Sequence, residues 1–269
     1  LEVVGMGERR INALTDARGL IETFRSREHD VSSRTQLAIT PHAPYSTDTS
    51  VYEEAIDLAR RHDVRICTHL AETREEQQFL QDGTGPFREL LEEFGLWDGS
   101  FRVPGCSPVE YAEQIGLLAL RPLLAHVNYV SDTDIDRLAR HGASVSFCPR
   151  THRFFEHLPH RYRDMLARGV NVCVGTDSLA SNHTLSVLDE LRFLRAGDDL
   201  LDDATLIEMA TVRGARALGL EGQVGRLAPR YAADVIAIPL AAASEDPYDA
   251  ILRSEASPSA VYIAGERLI

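Results

Sequence analysis

Thr68-His69-Leu70-Ala71-Glu72 sets an imidazole three residues before a carboxylate, where the short apolar run Val64-Arg65-Ile66-Cys67 gives way to a helical pattern opening at Thr73. At a strand's end such a pair can serve as a metal ligand beside a group that shuttles protons. The placement recurs: His42 follows Gln36–Thr40, His126 follows Leu123–Ala125, and Asp177 follows Val170–Gly175. Four polar groups at four strand ends predict one shared site.

His69 is expected to bind a divalent metal, zinc first, through a neutral imidazole, and Asp177 to add a carboxylate oxygen. Catalytic zinc takes about three protein ligands and an open water position, so this pair is a short set. Glu72, at the turn into the next helix, can lean back and move a proton between metal-bound water and substrate; a first-turn glutamate favoured by the helix dipole is the plainer reading. His126 has three roles open to it: orienting the attacking water, deprotonating it, or completing the metal shell. His42 sits in Thr40-Pro41-His42-Ala43-Pro44-Tyr45, a loop stiffened by two prolines, which suits substrate contact. Arg150 and His152, in Cys148-Pro149-Arg150-Thr151-His152, follow another strand, and the arginine suits an anionic or hydroxyl-rich part of a ligand; a surface loop is the alternative. His29, His62 and His141 are expected at helix ends without chemistry, and His157, His160 and His183 carry no assignment.

The elements that must position these residues alternate. β-rich runs at Leu1–Gly5, Gln36–Thr40, Val64–His69, Leu123–Val127, Ser144–Cys148 and Asn171–Gly175 are separated by amphipathic stretches at Glu8–Arg27, Asp48–His62, Thr73–Gln81, Pro86–Phe94, Pro108–Gly116, Asp132–Arg140 and Arg161–Arg168. That order predicts an α/β fold with parallel strands. Helices over Ser186–Arg195 and Ala204–Leu218 and strands at Asp234–Ile238 and Ala260–Ile263 follow. The passage Leu220–Arg230, with Gly222, Gly225 and Pro229, divides a body over 1–219 from a small β appendage over 220–269. A closed parallel barrel needs eight strands and carries its chemistry at their C-terminal ends. Six are readable here, so the missing two, about 60 residues, are expected before Leu1, and the chain is expected to be N-terminally incomplete.

Composition narrows the field further. With 269 residues, 44% hydrophobic and 26% charged, the chain can bury a sizeable core. A net charge of −13 disfavours non-specific binding to nucleic acid or to an anionic membrane, and no apolar run reaches a membrane span, so a soluble, cytoplasmic protein is expected. Cys67, Cys106, Cys148 and Cys173 lack CxxC spacing and read as free structural thiols. All 28 basic residues are arginine, which excludes, within this chain, a Schiff-base lysine, a phosphate-loop lysine and a carboxylated lysine bridging two metals.

On Pro41-His42-Ala43-Pro44-Tyr45, His69-Leu70-Ala71-Glu72, Leu123-Leu124-Ala125-His126 and Gly175-Thr176-Asp177, the chain resembles the deaminase and chlorohydrolase branch of the amidohydrolase superfamily. That branch includes S-adenosylhomocysteine/methylthioadenosine deaminases, aminodeoxyfutalosine deaminases and triazine hydrolases. Asp177-Ser178-Leu179-Ala180-Ser181-Asn182 and Cys148–His152 look most like the aminodeoxyfutalosine side. The resemblance implies a (β/α)8 TIM barrel, here strands 3–8, with the remnant of a small β-sandwich, and one zinc or iron. It implies that His69 and Asp177 are ligands, Glu72 the proton shuttle, His126 the water-positioning group, and His42 a substrate contact. The implied reaction is deamination of an aminated heteroaromatic ring, purine nucleoside-like, by metal-bound hydroxide. The implied ligand set includes a first-strand His-x-His pair that occurs nowhere in this sequence, so this chain alone is expected to be inactive. Three alternatives stand: a triazine-type chlorohydrolase, a catalytically incomplete fragment or paralogue, and a homo-oligomer whose missing strands come from a neighbour. The expected partner is a small-molecule substrate.

Overall fold

The computed structural model describes residues 1–27, 36–198, 200–240 and 246–269. Contacts divide the chain into two units, Leu1–Val145 with Leu158–Val170, and Ser146–His157 with Asn171–Ile269.

The first unit opens with β1 (Glu2–Val3), α1 (Arg9–Arg27), β2 (Ala38–Pro41), α2 (Thr49–His62) and β3 (Arg65–Leu70). It continues through α3 (Arg74–Asp82), α4 (Pro86–Glu93), α5 (Pro108–Gln114), β4 (Leu123–His126) and α6 (Asp132–His141) into β5 (Ser144–Phe147). β1, β2, β3 and β4 pair in parallel with Glu2 opposite Thr40, Ala38 opposite Arg65, and His69 opposite Ala125. The strand order is β1-β2-β3-β4-β5, followed by β6 (Asn171–Val174). Helix starts are set by side chains: Asp48 accepts from the Ser50 N–H, Thr73 from Glu76, and Ser107 from Glu110. Ser131 and Asp134 form a reciprocal capping box on α6. The Glu110 carboxylate takes the Arg137 guanidinium at 2.9 Å. Behind α3, Phe79 is fully buried among Met6, Leu80, Leu91, Phe101, Cys106 and Tyr111, its ring stacked on Phe101 at 5.0 Å.

α7 (Pro149–Phe154) belongs to the second unit, and α8 (Tyr162–Ala167) to the first. The second unit continues with β6 (Asn171–Val174), α9 (Val187–Gly197), α10 (Asp203–Ala210), α11 (Val212–Ala217), β7 (Val235–Ala237), α12 (Pro247–Arg253), β8 (Ala260–Ile263) and β9 (Glu266–Arg267). Every residue of β6 is buried, as suits a strand covered on both faces. The helix expected over Ala204–Leu218 is two, because Thr211 leaves helical geometry at φ −125°, ψ −94° while its hydroxyl takes the Ile207 carbonyl at 2.7 Å. Pro149–His152, for which a surface loop is the alternative reading, is the start of α7, with proline at its first turn. β7, β8 and β9 form an antiparallel sheet in which Ala264 (φ 49°) and Gly265 (φ 82°) turn β8 into β9. All four cysteines are free thiols.

Candidate active site

β3 alternates, burying Ile66, Thr68 and Leu70 and leaving His69 half-buried on the other face. The His69 Nδ1 lies 3.0 Å from the His42 carbonyl oxygen. A carbonyl only accepts, so Nδ1 carries a proton, and in the neutral ring the lone pair is on Nε2, the tautomer a metal-binding histidine needs. His42 follows β2 directly, and its ring centroid lies 4.8 Å from that of His69. His126 closes β4 and stacks on His69 at 5.3 Å. Burial, then the neighbouring His69 charge, lower the pKa of His42 against the opposing pull of Glu2 and Glu72.

Glu72 is fixed by its backbone. Ala71 adopts a left-handed φ of 52°, which brings the N–H groups of Ala71 and Glu72 onto the two carboxylate oxygens of Glu76, each at 2.8 Å. On the other side Asn128 Nδ2 donates to the Glu72 carbonyl at 3.0 Å. The Glu72 carboxylate then accepts from the Tyr45 hydroxyl at 3.3 Å and lies 3.6 Å from His126 Nε2. A small rotation would complete a hydrogen bond and make the pair a proton-transfer couple. His126 and Val127 both sit at positive φ, 69° and 55°, costly for non-glycine residues and most of all for a β-branched one. His160 Nε2 donates to the His126 carbonyl at 2.8 Å, a positioning contact across 34 residues that no local pattern signals.

Glu76 is fully buried, and its burial pushes the carboxyl from 4.5 up to about 8 against the pull of the Glu72 and Ala71 N–H groups. The folded chain therefore holds a proton that the unfolded chain releases above its ordinary value. The stabilisation is full below 4.5 and is lost as pH rises towards about 8. Glu76→Gln should flatten this part of the profile, so the difference in denaturant midpoint between wild type and variant should change with pH across that window. Parallel profiles would refute it.

In the second unit Asp177, three residues past β6, also adopts a left-handed φ, 56°, and its Oδ2 accepts from Ser181 Oγ at 3.0 Å. The strand reaches it through Gly175, where an added Cβ would meet Ser146 Oγ at 2.4 Å and Cys148 Sγ at 3.2 Å. Gly175→Ala should lower unfolding free energy by about 1–3 kcal/mol, measured by urea titration, and an unchanged midpoint would contradict this account of the glycine. Burial, reinforced by the Asp177 charge, pushes the Cys148 thiol up to about 12, which keeps it protonated and inert.

Arg150 is engaged within the same unit. Its backbone N–H donates to Glu190 Oε2 at 3.0 Å and its Nε lies 3.2 Å from Glu190 Oε1, a fully buried carboxylate that Asn182 also holds at 2.6 Å. The Arg150 Nε approach lacks hydrogen-bond alignment and counts as an ion pair. His152 packs edge-on against Phe147 at 5.5 Å and lies 5.3 Å from His157. Of the histidines expected at helix ends, His62 closes α2, His141 pairs with Glu113 at 2.9 Å, and His29 lies outside the described residues. The first unit thus gathers His42, His69, Glu72 and His126; Asp177, Arg150 and His152 belong to the second.

The model of the amidohydrolase family matches residues 12–268. The 5-methylthioadenosine/S-adenosylhomocysteine deaminase of Halothermothrix orenii is 31% identical over 209 residues, 75% of this chain and 44% of its own length. The aminodeoxyfutalosine deaminase of Deinococcus radiodurans is 32% identical over 194 residues, 68% of this chain and 46% of its own. This chain spans about half the length of the curated relatives it matches. Among solved structures, the aminofutalosine deaminase of Helicobacter pylori superposes with a TM-score of 0.82 at 23% identity, covering 100% of this chain and 67% of that one. A zinc-bound adenosine deaminase from Xanthomonas campestris gives 0.79 at 22%, covering 99% and 59%. At that identity the likeness is one of fold: parallel βα units of the amidohydrolase barrel.

Proposed function

The chain belongs to the amidohydrolase family, and on that premise we propose that the whole protein hydrolytically deaminates an aminated heteroaromatic ring, purine nucleoside-like, of the aminodeoxyfutalosine or S-adenosylhomocysteine type. The observation that carries this reading is the Glu72–His126 couple, 3.6 Å apart, its Glu72 backbone clamped by Glu76 and Asn128 and the His126 ring stacked on His69 at 5.3 Å. His69 and Asp177 are the residues assigned to one divalent cation, zinc before iron; their donor types, a neutral imidazole and a carboxylate, fit it. When bound, that cation supplies Lewis-acid activation of water.

The remaining steps fall to this chain's side chains. Glu72 delivers a proton to the ring nitrogen next to the amine-bearing carbon as water adds to that carbon. His126 and Asp177 orient the water and take up its proton, which passes on to the departing amine. Ammonia leaves, the added hydroxyl gives its remaining proton back to Glu72 as the ring carbonyl forms, and one water is consumed for each ammonia released. Tyr45 holds one oxygen of Glu72 and leaves the other towards His126. His42, Arg150 and His152 are assigned to the substrate, with Arg150 in reach only where its pairing with Glu190 leaves a guanidinium nitrogen to spare. The barrel portion is assigned to 1–219 and the small β domain to 220–269. We place the protein in the cytoplasm; no helix among the described residues is long and apolar enough to cross a membrane.

The test is product analysis on the zinc-loaded product of the complete coding sequence, since no His-x-His occurs in these 269 residues. Offered 5′-modified adenosines and chlorinated triazines, it should release ammonia in step with conversion of adenine to hypoxanthine. Chloride release, or no turnover of any adenosine, overturns the reading.

A further inference from the structure

β4 ends in a turn that side-chain-bearing residues rarely adopt. His126 (φ 69°) and Val127 (φ 55°) are consecutive left-handed residues, and the Val127 N–H reaches both the Ala125 carbonyl, at 3.1 Å, and the Leu70 carbonyl, at 3.0 Å. A hydrogen bond between residues two apart, closed around a central residue of positive φ, is the rare and strained form of the γ-turn, and His126 is that central residue. Such a conformation persists only where its surroundings over-determine it. On one side the segment is fastened to the Glu72 turn: the Tyr129 N–H donates to the Ala71 carbonyl, Gln77 Nε2 to the Tyr129 carbonyl and Asn128 Nδ2 to the Glu72 carbonyl, each at 3.0 Å. On the other, His160 Nε2 lies 2.8 Å from the carbonyl of His126 itself. A carbonyl only accepts, so His160 is the donor. The chain beside His160 is anchored in turn, because the Arg161 guanidinium pairs with Asp132 at 2.5 Å and with Asp164 at 2.7 Å and donates to the Val130 carbonyl at 3.4 Å.

We propose that His160 is a positioning residue for His126: its N–H holds the strained turn closed and so keeps the His126 imidazole facing Glu72. The His126 ring is buried, stacked on His69 at 5.3 Å and 3.6 Å from the Glu72 carboxylate. φ sets the direction of the Cα–Cβ bond against the preceding peptide, so relaxation of His126 towards an ordinary strand conformation swings its ring out of that place. A misplacement of about 1 Å at a reacting group can cost about 10²-fold in rate. His160, His126 and Glu72 all belong to the first unit. The consequence for turnover rests on the deaminase reading above; the consequence for the turn does not.

Two substitutions in the product of the complete coding sequence separate the donor from the ring. His160→Phe keeps a ring and loses the N–H; His160→Gln loses the ring and keeps an amide N–H. His160→Phe should lower kcat by about 10–10²-fold with zinc content at the wild-type level and KM changed by less than about threefold, whereas His160→Gln should stay within about threefold of wild type. A side chain that only filled space would give the reverse order, Phe tolerated and Gln not. His160→Met, flexible and likewise without an N–H, carries the same expectation as Phe should the larger ring not be accommodated. Hydrogen exchange on the same preparations reads the turn without any turnover: the amides of Val127 and Tyr129 should exchange at least about tenfold faster in His160→Phe than in wild type or His160→Gln, while amides within β3 keep their wild-type rates. The proposal is overturned if exchange at Val127 and Tyr129 is the same in all variants, or if Gln is impaired as much as Phe. Wild type that turns over no adenosine sinks the deaminase reading instead, and the exchange rates still decide this one.

Discussion

Glu72→Gln should lower kcat for deamination by about 10³-fold while the zinc content of the purified protein stays at the wild-type level. The amide keeps the size of the side chain and can still accept from Tyr45, whose hydroxyl lies 3.3 Å from the carboxylate. It cannot carry a proton to the ring nitrogen. Because Glu76 and Asn128 hold the main chain of Glu72, the substituted side chain should stay in place, and KM should change far less than kcat. That split separates a lost proton transfer from a collapsed pocket. A variant that keeps more than about a tenth of wild-type kcat would remove Glu72 from the chemistry, since general acid–base groups typically contribute 10²–10⁴-fold.

His69→Ala should remove the cation as well as the activity. On β3, Thr68 and Leu70 point to the buried face, and Cys67, which shares the face of His69, has its thiol pushed up by burial. Zinc per chain should fall towards zero, and deamination by about 10³-fold or more, because water no longer has a Lewis acid to lower its pKa. Excess zinc should restore wild type after treatment with a chelator but leave the variant inactive. Full zinc content in His69→Ala would move the metal elsewhere. The contrast with Glu72→Gln is diagnostic: one variant loses metal and turnover together, the other turnover alone.

Much of this arrangement is legible in the residues themselves. Parallel strands announce themselves as short apolar runs between amphipathic stretches, so the ends of β2, β3, β4 and β6 can be located to within a residue or two, and with them His42, His69, His126 and Asp177. What holds them is not legible in the same way. Glu76 has the position of an ordinary third residue of a capped helix; only the left-handed turn at Ala71 sends its carboxylate to the Ala71 and Glu72 N–H groups. His160 reaches His126 across 34 residues, and Ser46 Oγ lies 2.6 Å from His42 Nδ1, contacts that only coordinates show. Glu2 sits on a two-residue strand with no periodicity to read. Arg150 shows the converse: a guanidinium beside a strand end suggested an anion, while the buried Glu190, 40 residues on, already supplies one. Backbone strain was equally hidden, yet Ala71, His126, Val127 and Asp177 all carry positive φ at or beside the proposed groups.

The most direct test of the account is anomalous diffraction at the zinc absorption edge from crystals of the zinc-soaked protein. The account predicts one strong peak about 2.1 Å from His69 Nε2, with the Glu72 carboxylate near it but not coordinated. A peak away from His69, or Glu72 bound to the ion as a ligand, would contradict it.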